Sequence, residues 1–231
     1  LKATQLLFFF MARPDREKLI RKLTSISGNE ERVTANKCKI EDEGIIPRSM
    51  RYLWNQMSKR KDSFFVKASF VEIYNEQIND LLNKKATNLS IRWSQEHGFF
   101  IEDVLVVDCT SVDDLMIVFK EGCINRKTGS HDLNKDSSRS HSMLILYIVR
   151  EFKDHTGKTI RGYGKMTFID LAGSERLKES KTSGLMAKEA QQINKSLFTL
   201  GKIISMLSKK QNTHLPFRDS KLTMLLMDSL G

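Results

Sequence analysis

The apolar run Met166-Thr-Phe-Ile169 stops at an aspartate, and Asp170-Leu-Ala-Gly-Ser-Glu175 follows. An acidic residue at the end of a buried strand, with a glycine just beyond, limits the folds open to a chain. It suits an open α/β sheet, where ligands gather outside the carboxyl ends of the strands. An aspartate there can hold Mg²⁺, directly or through water. A glycine N–H can approach a phosphate closely because no Cβ intervenes. An ordinary Asx turn at a strand end would use the same aspartate, so D-x-x-G alone is weak, and the longer D-L-A-G-S-E-R run is far more specific.

The rest of the chain alternates strand-like and helix-like stretches. Leu6–Met11 reads as a strand, Pro14–Leu23 as helix-permissive, residues 28–44 as a long polar loop, and Pro47–Ser58 as a helix. Ser63–Tyr74 has the β-branched and aromatic alternation of a strand, and Glu76–Leu82 reads as a short helix after it. Leu89–Trp93 and Phe99–Val107 read as strands about a turn at His97-Gly98. Ser111 is a good N-cap, with Asp113 and Asp114 in the first turn, for a helix to about Asn125. Ser142–Phe152 and Gly164–Asp170 are strands joined through Asp154-His-Thr-Gly157. Lys188–Leu207 and Ser220–Asp228 are helices. The expectation is an α/β fold, a central mixed sheet flanked by helices on both faces.

A second motif, Asn134-Lys-Asp-Ser-Ser-Arg-Ser-His141, lies between a helix and a strand. A Ser-rich stretch is usually a solvated connection. This one offers hydroxyls and Arg139, groups that a loop sensing a nucleotide's terminal phosphate could use. Gly157-Lys-Thr159 ends like a phosphate-binding loop, but that pattern requires a glycine five residues earlier, where Phe152 stands. It reads as a hairpin turn.

The net charge of +10 predicts an acidic partner. Much of the excess follows the second phosphate-sensing candidate: Lys178, Lys181, Lys188, Lys195, Lys202, Lys209, Lys210, Arg218 and Lys221 lie beyond Glu175, against few acids. On a helical wheel, Ile193, Leu197, Leu200, Ile204 and Leu207 form the expected core stripe. Lys188, Lys195 and Lys202 fall opposite, at seven-residue intervals. A nucleic-acid partner has only the charge in its favour, because the basic stretch lacks interleaved aromatics and a recognisable binding motif. The three cysteines are scattered, which argues against a disulfide framework or zinc site. Leu6–Ala12 is too short to span a bilayer, and its flanks make a poor signal peptide, so it reads as a buried strand. Starting at Leu1 and stopping at Gly231, the chain is expected to be a fragment.

Taken together, these stretches resemble the motor domain of the kinesins. Asn134–His141 resembles switch I and Asp170–Glu175 switch II. Ser69-Phe-Val-Glu-Ile-Tyr-Asn-Glu-Gln-Ile-Asn-Asp-Leu-Leu82 resembles a core strand and its following helix, and Ala190-Gln-Gln-Ile-Asn-Lys-Ser-Leu197 the helix after switch II. His214-Leu-Pro-Phe-Arg-Asp-Ser-Lys-Leu-Thr223 resembles the loop and helix completing the microtubule-binding face. A myosin-like NTPase has similar loop logic, but this last stretch favours kinesin.

The resemblance implies an ATPase whose hydrolysis drives movement along microtubules, located in the cytoplasm on the microtubule cytoskeleton. It implies ATP and Mg²⁺ as cofactors. Asn134, Ser137, Ser138 and Gly173 would bind nucleotide, and Ser138 and Asp170 would serve the metal. Arg139 and Glu175 would pair when ATP closes the site and position the attacking water. Lys178, Lys181, Lys188, Lys195, Lys202, Lys209, Lys210, His214, Arg218 and Lys221 would face tubulin. No nucleic-acid or membrane partner is implied, and any oligomer would form through a coiled coil outside this chain.

Residues 44–231 carry the likeness, and 1–43 diverge from it. Lys22-Leu-Thr-Ser-Ile-Ser-Gly28 resembles the stretch starting at a phosphate-loop lysine, but Arg21 and Leu23 replace the final glycine and the metal-binding hydroxyl, and no glycine occurs from Met11 to Ile20. The expectation is a motor core whose phosphate loop is missing or divergent, with a microtubule-binding pseudo-motor as the alternative.

Overall fold

The computed structural model describes residues 4–11, 44–95, 97–131, 139–173, 185–209 and 214–230, with backbone alone over 4–11, 127–131 and 185–193. Its centre is a six-stranded sheet in the order β1-β8-β7-β2-β3, with β6 also paired to β2. The strands are β1 (Thr4–Met11), β2 (Ser63–Tyr74), β3 (Gln77–Asp80), β6 (Val107–Cys109), β7 (His141–Lys153) and β8 (Thr159–Leu171). A separate hairpin is formed by β4 (Ile91–Ser94) and β5 (Gly98–Ile101). The helices among the described residues are α1 (Ile45–Ser58), α2 (Val112–His131), α3 (Leu185–Ser208) and α4 (Lys221–Leu230).

The sheet is mixed, as expected: β1 runs parallel to β8, and the other pairings are antiparallel. Side chains of successive strand residues point to opposite faces, and β2, β7 and β8 are apolar at both parities. Val66, Ala68, Phe70, Leu144, Leu146 and Phe168 pack with Leu115, Val118 and Phe119 of α2 and Met50 and Met57 of α1. Val71, Ile73, Met143, Ile145, Ile169 and Leu171 pack instead with Leu200 of α3 and Leu222, Leu225 and Leu226 of α4. Each face thus has its own core and its own helices.

Local chemistry explains the joints. Ser111 Oγ accepts the Asp114 N–H at 3.1 Å and Asp114 Oδ2 accepts the Ser111 N–H at 2.9 Å, a reciprocal box that starts α2. The β7–β8 turn places Gly157 at φ +82°, and Asp154 Oδ1 accepts N–H groups from Thr156 and Lys158. Gly157-Lys-Thr159 is therefore a hairpin turn and its successor strand.

Three expectations need correction. Residues 76–82 do not form a helix: Asn75 and Glu76 adopt φ +51° and +57°, and β3 folds straight back onto β2. Two successive left-handed residues make the tight turn that matches strand twist, and burial of Ile78 outweighs the helix propensity of Glu and Gln. The stretch 99–107 is two strands with different partners, split near Asp103 at φ +56°. On α3, Leu200 is buried and Leu197 packs on the same core as expected, and the side chain of Ile193 lies outside the described residues, but Ser196, Thr199 and Ile203 are buried too and Ile204 is 46% exposed. The core stripe is rotated from the apolar one because two hydroxyl residues face the sheet.

Candidate functional site

At the carboxyl end of β8, register aligns Glu72 of β2, Ser142 of β7 and Asp170 of β8 in one row across three strands. All three side chains share the α2 face, since register preserves parity. Two carboxylates this close to a core need a cation, and α2 supplies it. Arg126 donates from Nη1 to Asp170 Oδ2 at 2.7 Å and to Ser142 Oγ at 2.8 Å. Its Nη2 donates to the Ser140 carbonyl at 2.9 Å, and its Nε lies 3.7 Å from Glu72 Oε1. The side chain is 10% exposed, against 26% for Asp170. The planar guanidinium thus ties α2 to the ends of three strands, which a lysine could not do with one point charge.

The opposite face of the same strand ends holds His141. The Ala172 N–H donates to its Nδ1 at 2.9 Å, and its Nε2 lies 2.8 Å from Ser196 Oγ on α3. Burial, then the Arg126 charge, push the imidazole down to about 4, with Asp170 opposing. The ring is neutral at physiological pH. Gly173, half-buried, comes next along the chain.

A third joint lies at the start of α4. Glu76, held at positive φ in the β2–β3 turn, accepts the Lys221 N–H at 2.8 Å and the Ser220 hydroxyl at 3.0 Å. A carboxylate there satisfies orphan N–H groups and opposes the helix dipole. The Arg218 guanidinium sits 5.4 Å from the Phe99 ring centroid, which links the segment before α4 to β5.

Of the residues named from sequence, the structure brings Arg139, Asp170 and Gly173 to neighbouring strand ends, Arg139 half-buried just before β7. Lys195, Lys202 and Lys209 are exposed on or just beyond α3, His214 and Arg218 are exposed before α4, and Lys221 is half-buried at its start. Asn134, Ser137, Ser138, Glu175, Lys178, Lys181 and Lys210 lie outside the described residues, as does the side chain of Lys188. The Arg139–Glu175 pair therefore lies outside them too. Sequence reasoning missed Arg126, Glu72, Ser142, Ser196 and the role of His141. Only strand register reveals the row of carboxylates that calls for Arg126.

The donor set bears on a metal. Among the described residues no cluster of His, Cys, Asp and Glu forms a protein cage for an ion. Asp170 is partly exposed and already hydrogen-bonded at Oδ2. That fits Mg²⁺ held largely by water and phosphate, the way this ion is usually bound.

A family profile described as the kinesin motor domain matches residues 25–231. The chain is 40% identical over 201 residues to kinesin-like protein KIN-12E of Oryza sativa subsp. japonica, covering 83% of this chain and 11% of that protein. It is 41% identical over 196 residues to kinesin-like protein KIF12 of Mus musculus, covering 81% and 30% respectively. Among solved structures it resembles a fast kinesin, studied for its ATPase mechanism and interactions with microtubules. The TM-score is 0.74 and the identity 29%, over 97% of this chain and 60% of that one. The chain thus spans a small part of these curated relatives and under two thirds of the solved one.

Proposed function

Because the chain belongs to the kinesin motor-domain family, we propose that it is the switch-bearing part of an ATP-driven microtubule motor, acting on the microtubule cytoskeleton in the cytoplasm. The observation that carries this reading is the clamp at the carboxyl end of β8, where Arg126 joins Asp170, Ser142 and Glu72 beside Gly173. A rigid, charge-balanced strand end is what a phosphate-sensing loop needs behind it.

The roles follow from the chemistry of each group. Asp170 and Ser138 would hold Mg²⁺, directly or through water. Ser137, Ser138, Asn134 and the Gly173 N–H meet the nucleotide. Mg²⁺ supplies charge neutralisation of the phosphates when bound. Arg139 and Glu175 form a directional pair across the two loops and orient the attacking water. Phosphoryl transfer depends mainly on such positioning and electrostatics. The cationic residues Lys178, Lys181, Lys188, Lys195, Lys202, Lys209 and Lys210, with His214, Arg218 and Lys221, would meet the acidic tubulin surface.

Residues 1–231 contain no G-x-x-x-x-G-K-[ST]. Backbone N–H groups of such a loop cradle the phosphates, so this chain alone is expected to bind nucleotide weakly and to turn it over little. The test is co-sedimentation with microtubules in ADP and in a non-hydrolysable ATP analogue, together with phosphate release. Binding to microtubules is expected, and it is tighter with the analogue at nucleotide concentrations high enough to occupy a weak site. No binding in either nucleotide overturns the motor reading. Binding that ignores the nucleotide leaves a pseudo-motor, and robust microtubule-stimulated phosphate release refutes the expected weak turnover.

A further inference from the structure

The buried side of α3 contains a polar seam where an apolar one was available. Ser196 and Thr199 are 2% and 5% exposed, while Ile204 on the same helix is 46% exposed. A hydroxyl facing a core is tolerated only with a partner. Ser196 has His141 at 2.8 Å, and His141 has the Ala172 N–H at 2.9 Å. These three groups are buried and belong to three different parts of the chain: the strand leaving Asn134–His141, the loop following Asp170, and α3.

The tautomer is set by the geometry. A peptide N–H can only donate, so Nδ1 must accept it. In a neutral ring the proton then sits on Nε2, which donates to Ser196 Oγ. One imidazole therefore accepts from the loop backbone and donates to the helix at once.

We propose that His141 is a positioning residue that fastens the Ala172–Gly173 backbone to α3, so that the helix follows the loop. This rests on the motor reading above, in which that loop meets the phosphate and α3 faces the partner. Apolar packing around Leu200 permits α3 to slide. A bridge of two directional hydrogen bonds through a stiff ring does not, without breaking one of them. No side chain of α3 needs to reach the nucleotide, because the ring carries the backbone's position across.

The first measurement is the ¹⁵N spectrum of the His141 ring in the ligand-free chain at neutral pH. Protonated Nε2 with bare Nδ1 is expected, and the opposite tautomer overturns the proposal. Amide hydrogen exchange then tests the two halves separately. In His141→Asn the amide oxygen takes the place of Nδ1, so Ala172 stays protected while amides of residues 194–208 exchange roughly tenfold faster. His141→Gln keeps a donor toward Ser196 and exposes Ala172 instead. Ser196→Ala repeats the Asn pattern from the helix side, leaving the histidine in place. Unchanged α3 exchange in both His141→Asn and Ser196→Ala overturns the fastening.

The last arm is the ratio of microtubule affinities in the ATP analogue and in ADP. It should fall toward unity in Ser196→Ala with nucleotide affinity retained, and a ratio equal to the parent's overturns the coupling. A parent chain with no such ratio sinks the motor reading, while the tautomer and exchange results still decide whether His141 fastens loop to helix.

Discussion

Arg126 concentrates more of the site than any other side chain. Its contacts span Glu72, Ser140, Ser142 and Asp170, and it is 10% exposed. Arg126→Ala leaves two carboxylates without their cation at the edge of the core, which should cost about 2–4 kcal/mol. Arg126→Lys keeps the charge without the fork and should fall between. Urea midpoints of the three proteins check the order, and equal midpoints for parent and Ala variant would reject the clamp. His141 makes a pH prediction. Its folded value of about 4 lies below its unfolded value of 6.5. The neutral ring therefore contributes fully above about pH 6.5, and that contribution drains away as pH falls toward about 4, roughly 3 kcal/mol in all. Stability measured across this window should fall more steeply for the parent than for His141→Asn, whose side chain does not titrate there. Parallel curves would show that the ring is not held neutral.

At the scale of elements, α2 rides so closely on β2 that a side chain is excluded from one turn. A Cβ on Gly122 would lie 2.0 Å from a Phe70 ring carbon. The Phe70 ring in turn stacks on Phe119, with centroids 6.2 Å apart, so it has little room to withdraw. Gly122→Ala should therefore lower stability by about 1–3 kcal/mol by overpacking, although alanine favours a helix by about 1 kcal/mol. A thermal melt distinguishes the two, since a rise in Tm would mean that propensity wins. The same closeness sets Arg126, one turn further along α2, over the strand ends. On the other face, Glu76 fixes the start of α4 from the tip of the β2–β3 hairpin. The hairpin that sequence propensity reads as a helix is thus the element that carries the cap.

Over the whole molecule, charge and fold are separable. The excess of +10 is displayed in part on exposed Lys195, Lys202, Lys209 and Arg218. Exposed charges are screened, so the microtubule affinity proposed above should fall on the order of tenfold between about 0.05 and 0.15 M salt. Co-sedimentation across that range checks it, and a salt-independent affinity would assign binding to apolar contacts instead. The sequence by itself determined the class of fold, the strand that carries Asp170 near its carboxyl end and the family, because apolar periodicity and contiguous motifs are local properties. Ser63–Tyr74 was legible to the residue because its β-branched and aromatic residues run unbroken by glycine or proline. Tertiary structure alone decided the β2–β3 hairpin, where burial of Ile78 overrides propensity, and the rotated face of α3, where a histidine partner makes a buried hydroxyl tolerable. It also decided the Arg126 clamp. Glu72, Arg126, Ser142 and Asp170 are far apart along the chain, and only the register of three strands sets the two carboxylates and the Ser142 hydroxyl side by side beneath Arg126 of α2. No spacing rule in one dimension encodes a distance across a sheet, so the cation that steadies the site stays invisible until the strands are aligned.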